Sequence, residues 1–153
     1  MTGARAVTRD AGTPFAAPGR HMVFGAGMFL LAVLLALNSI LGPLGLGRID
    51  YPISTTLQNQ LIGLEIVTLV MVVPLSVAAG VLALRGRRAA APVGFGPAAY
   101  TAYMFAQYVL GPEYPQFTAA VLFHLGLFAV GSALAVAAWT AIDPGSLPTT
   151  APA

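Results

Sequence analysis

Cysteine and lysine are both absent from this 153-residue sequence, and charge of either sign is scarce. Without cysteine there is no disulfide framework, no thiolate metal site and no cysteine nucleophile. All seven basic residues are arginine, and five acidic residues leave a formal net charge of +2. A charge so small and scattered excludes a nucleic-acid footprint. Charged residues make up 8% of the chain and hydrophobic residues 58%, whereas soluble domains carry roughly 25% charged residues. Too little polar surface exists to cover a fold facing water, so the predicted class is an all-α polytopic membrane protein.

What is present is a set of long apolar runs. The longest extends from Gln58 to Leu84, interrupted only by the carboxylate of Glu65 and by Pro74. About 20 apolar residues suffice to cross a bilayer as a helix rising 1.5 Å per residue. The pattern predicts four such helices, at about 22–41, 58–84, 92–110 and 116–142, forming a four-transmembrane-helix antiparallel bundle. Gly42-Pro43 stops the first helix, and Ser54, Thr55 and Thr56 offer N-caps for the second. Pro74 lacks an amide proton and crowds the carbonyl of Val70, which makes it a hinge candidate near mid-helix. Residues 1–20 and 143–153 lack periodicity and are expected to be disordered tails.

Orientation follows from arginine. Arg5, Arg9 and Arg20 precede the first helix, and Arg85, Arg87 and Arg88 lie between the second and third. Only Arg48 falls in the connection between the first and second helices. This asymmetry places both termini in the cytoplasm of a multi-pass plasma-membrane protein. Tyr51, Tyr108 and Tyr114 then lie near the outer interface and Trp139 near the inner one.

A carboxylate in a membrane span costs on the order of 2.5–3.5 kcal/mol on insertion scales, so Glu65 needs a partner or a use. Helical phase puts Gln58, Glu65, Thr68, Ser76 and Ala79 on one face of the second helix. Gly96, Tyr100, Tyr103 and Gln107 share a face of the third, and Ala120, His124, Gly131, Ala135 and Ala138 share one of the fourth. Combined with depth, this predicts a cluster of Glu65, His124, Tyr103, Gln107 and Asn38 in the outer half of the membrane, with Tyr100 near it. The cluster is expected to centre on a Glu65–His124 contact, with Tyr103 and Gln107 as partners. Three readings stay open. The cluster is interhelical glue, or it is a pocket for a proton, ion or small amphiphile, or Glu65 faces a partner subunit.

Other chemistries lack their residues. His21 and His124 are a membrane's width apart, too far for a bis-histidine haem. Glu65, His124 and Tyr103 have none of the usual metal-site spacings. No serine lies level with His124 to complete a hydrolytic triad. No cofactor and no metal are expected. Tyr100, Tyr103 and Tyr108 at helical spacing are more often packing than a platform for a quinone. Arg85, Arg87 and Arg88 serve chiefly as topology signals.

Several short patterns recur in another setting: Pro74-Leu75, then Arg85-Gly86, then Tyr100, Tyr103, Phe105, Tyr108 and Gly111, then the apolar run from Leu122 to Ser132. Over about residues 58–132 the chain resembles a group of small bacterial four-helix integral membrane proteins to which no activity is attached. It departs from them at His124, where an aromatic, usually Tyr, is expected, and in a longer turn between the third and fourth helices. The resemblance implies a four-helix membrane fold and brings no substrate or site.

The functional expectation is a non-enzymatic accessory or structural membrane subunit, surrounded by the lipid bilayer and able to form a homo-oligomer or to bind a membrane-protein partner. The alternatives are a small proton-coupled transporter or amphiphile binder using Glu65, and a quinone-linked redox partner.

Overall fold

A computed structural model describes residues 19–49, 54–110 and 119–142. These residues form four helices and contain no strand. The expected tails, apart from Gly19 and Arg20, lie outside the described residues, as do the turn at 111–118 and the two interface tyrosines Tyr51 and Tyr114.

Helix α1 (Arg20–Leu41) starts after Gly19, whose φ of 86° is left-handed. It stops at Gly42-Pro43, and the chain then folds back over its end. Gly42 N–H bonds Asn38 O at 2.8 Å, Leu46 N–H bonds Ile40 O at 2.7 Å, and Arg48 and Ile49 both donate to Leu41 O. The carbonyls that a helix end leaves unsatisfied are thus met by the loop itself.

Helix α2 (Thr55–Leu84) is capped by Ser54, whose Oγ accepts from Leu57 N–H at 3.4 Å. It therefore begins ahead of Gln58. Its course is α-helical to Val67, a π turn over Thr68–Val72, then α-helical again from Val73. Val73 N–H reaches back five residues to Thr68 O. The wider turn lies directly before Pro74, where a regular helix would press the pyrrolidine ring against a carbonyl. Pro74 itself lies on the exposed side.

Helix α3 (Ala90–Leu110) carries Pro92 in its first turn and a buried Pro97 further in. Helix α4 is Ala119–Ala141. Each helix packs against its chain neighbours and α4 closes on α1, leaving α1 and α3 diagonal. Three helices, α1, α2 and α4, are long and apolar enough to cross a membrane. At 21 residues α3 has the length, but Pro92, Gly94, Gly96, Pro97, Tyr100, Tyr103, Gln107 and Tyr108 dilute its apolar character. Of the four expected spans, length and composition thus support three, α1, α2 and α4.

Lipid tails are as apolar as leucine, so helices in a bilayer associate through close packing more than through hydrophobicity. The core shows this. Met28, Leu31, Leu35 and Leu127 are fully buried, and between them lie Ala79, Ala83, Ala90, Ala98 and Ala138. At the α1–α2 crossing Gly25 and Gly80 meet backbone to backbone: a Cβ on either would lie 3.2 Å from the other's carbonyl oxygen. At the same end Phe95 packs on the exposed Trp139, ring centroids 5.5 Å apart.

Candidate functional site

Asn38, Ser39, Glu65, Thr68 and His124, most of the buried polar residues among those described, gather toward the other end of the bundle. The first half of α2, Thr55–Val67, buries only Leu61 and Glu65 and touches the other helices sparsely. Glu65 is its anchor. Only 3% exposed, it accepts the backbone N–H of Leu44 on Oε2 at 2.8 Å. Its other oxygen, Oε1, is buried without a hydrogen-bond partner. The carboxylate lies directly against Gly42, where a Cβ would collide with Oε1 and stand 3.0 Å from Asn38 O. Gly42 is thus needed for its lack of a side chain; its φ of −75° is open to any residue.

Asn38, on the last turn of α1, is the second polar group. Its Oδ1 accepts from His124 Nε2–H at 3.2 Å, tying α1 to α4. This bond fixes the proton on Nε2, because Oδ1 can only accept. The imidazole is enclosed by aromatic rings, with Tyr108 edge-on at 5.0 Å and Phe105 at 5.4 Å. Thr68, one turn beyond Glu65, gives its hydroxyl hydrogen to Leu64 O at 2.8 Å. Tyr100 O–H must then be the donor in the 3.1 Å contact with Thr68 Oγ1, which joins α2 to α3.

Between these groups is a narrow cleft lined by Asn38, Glu65, Thr68, Tyr100 and Tyr108, with Met104 among its apolar neighbours. Its free space is about 10 Å³ for the centre of a water-sized occupant, close to a single water site. A drug-sized ligand needs roughly 300–1,000 Å³.

Several expectations are corrected by this geometry. Glu65 and His124 do not pair. Leu44 reaches the carboxylate from the folded-back loop, and Asn38 stands as the partner of the imidazole. Tyr103 and Gln107 are not in the cluster. They form a bond of their own, Gln107 Nε2–H to Tyr103 Oη at 2.8 Å, on the exposed side of α3, where Tyr103 is 64% exposed. The inward face of α3 is instead Ala91, Gly94, Ala98, Thr101, Phe105 and Tyr108. Small side chains let α3 approach its neighbours, and that outweighs the preference for turning polar groups inward. The tyrosines consequently share no platform: Tyr100 and Tyr108 line the cleft and Tyr103 is outside it. Arg85, Arg87 and Arg88 are exposed at the far end, and Pro74 lies beyond the π turn.

Gly42, Leu44 and Thr68 are the site residues that sequence reasoning did not assign. Thr68, three residues after Glu65, was legible as a neighbour; the Leu44 amide was not, because any backbone N–H carries the same signal.

No protein-family model, curated protein or solved structure matches the chain. The chemistry available at the site rests on its own geometry. Among the described residues no three of His, Cys, Asp and Glu come together as metal ligands.

Proposed function

We propose that the chain is a four-span plasma-membrane protein with both termini cytoplasmic, acting as a non-enzymatic structural or accessory subunit. In this arrangement α3 is the fourth span, with Thr101 and Tyr108 buried in the bundle and the exposed Tyr103 and Gln107 bonded to each other. The arginines, three before α1 and three between α2 and α3, support the orientation. The resemblance to small bacterial four-helix membrane proteins belongs to the same reading.

The observation that carries the subunit role is where the polar groups are used. Within the bundle, His124–Asn38, Tyr100–Thr68 and Leu44–Glu65 each join one element to another. The remaining pair, Gln107–Tyr103, lies on the outside of α3. With Gln107 Nε2 giving one of its two hydrogens to Tyr103 Oη, the tyrosine O–H and the second amide N–H remain as donors and the amide Oε1 as an acceptor on this exposed side. Such a pair is self-complementary about a two-fold axis, the usual symmetry of a homodimer. Polar groups of this type associate membrane helices.

Subunit counting of fluorescently tagged protein in native lipid tests this. Assemblies larger than one chain are expected, and Gln107→Leu with Tyr103→Phe shifts them several-fold toward single chains. Single chains at every density, with nothing bound to them, would overturn the subunit role.

A further inference from the structure

We propose that the cleft beside Glu65 binds one small monovalent cation, either a hydrated proton or an alkali ion, with Glu65 Oε1 as its charged ligand. Several observations converge on it.

Glu65 Oε1 is an acidic oxygen, buried, and without any hydrogen-bond partner. A buried carboxylate oxygen left unmatched is costly, and a positive charge beside it removes the cost. The carboxylate also lies against the last turn of α1, close to Asn38 O. Helix C-termini carry partial negative charge, so this position adds to the attraction for a cation and offers nothing to an anion.

Donor accounting gives the rest of the ligand set. Thr68 has given its hydroxyl hydrogen to Leu64, and Tyr100 has given its own to Thr68. Both oxygens line the cleft with lone pairs only, beside Glu65 and the amide of Asn38. Oxygen donors of this hardness suit alkali ions and hydronium, and one carboxylate matches one positive charge. The space, about 10 Å³, holds one small occupant and no amphiphile.

Among the described residues the charged and titratable surroundings are few. Tyr100 and Tyr108 face the cleft from α3, and His124 from α4 reaches it through Asn38. From α1 comes only the neutral Asn38, and Arg48 on the adjoining loop is exposed. The π turn begins at Thr68 itself. Such turns often mark functional positions, because the extra residue re-aims a side chain.

The experiment measures thermal unfolding of the full chain in nanodiscs. Sodium chloride is compared with choline chloride at constant ionic strength, and each condition is repeated across a pH series. An alkali site gives a saturable rise in Tm of several degrees with sodium over choline. A proton site gives no difference between the salts, but Tm depends on pH and an infrared carboxyl band appears on acidification. In either case Glu65→Gln, which keeps an acceptor for Leu44, abolishes the response. Thr68→Val moves its half-point several-fold, which keeps the test decisive if Glu65→Gln does not fold. A wild-type protein indifferent to both sodium and pH overturns the site, as does a Glu65→Gln variant that responds like wild type. Neither result touches the subunit role, which rests on Tyr103 and Gln107, outside the cleft.

Discussion

Glu65 holds the backbone of Leu44, 21 positions earlier in the chain, at 2.8 Å, and Gly42 between them leaves room for the carboxylate. The loop after α1 and the sparsely packed first half of α2 are thereby fastened to each other. Gly42→Ala should push the carboxylate away and break the bond, with a loss of about 1–3 kcal/mol. In a Glu65→Ala background the same substitution should cost much less, since the collision with the carboxylate is gone and only the 3.0 Å approach to Asn38 O remains. A double-mutant cycle in reversible detergent unfolding measures the coupling; equal costs in both backgrounds would refute it.

The Asn38–His124 bond predicts a smaller effect. His124→Leu removes the donor to Asn38 Oδ1 and should cost about 0.6–1.7 kcal/mol, the range for polar contacts between membrane helices. Asn38→Leu combined with His124→Leu should recover part of it, because no acceptor is then left buried without its donor. The same unfolding measurement decides this.

Pro74→Ala returns an N–H to the position after the π turn and removes the ring that the wider turn accommodates. The segment is expected to close into regular α-helix and to turn Glu65 away from Leu44. Gly42→Ala should then cost little in the Pro74→Ala background. If its cost is unchanged, packing around Thr68 and Val72 maintains the π turn instead.

Topology can be mapped directly because the chain has no cysteine of its own. Arg48→Cys is expected to react with an impermeant maleimide from outside intact cells, and Arg87→Cys only after the membrane is opened. Labelling of both from the same side would reject the four-span arrangement.

Much of the fold could be inferred from composition and punctuation. Gly42-Pro43 and Ser54 marked the ends that the structure shows, and the phase of α4 put His124 and Gly131 inward. The phase of α3 failed for a physical reason. Its polar stripe was assumed to face the bundle, but the close-packing residues Gly94, Ala98 and Thr101 claimed that side and left Tyr103 and Gln107 outside. Glu65 was recognisable as the singular residue, whereas its partner was not. A main-chain amide in a folded-back loop leaves no residue-specific trace, and the imidazole of His124 was the more conspicuous candidate. The π turn was equally hidden: Pro74 announced strain, but whether a helix answers by bending or by widening depends on what lies around it.

The widened turn at Thr68–Val72 also separates two azimuths along one helix. Toward its C-terminal end, the ridge of Ala79, Gly80 and Ala83 is locked by contact with α1. Toward its N-terminal end, the direction of Glu65 depends on how many residues are wound into those few positions. Deleting one of them would swing the acid by about 100° while leaving the locked ridge in place. The aim of the carboxylate is therefore adjustable by a single register step, independently of the contacts that hold the helix in the membrane.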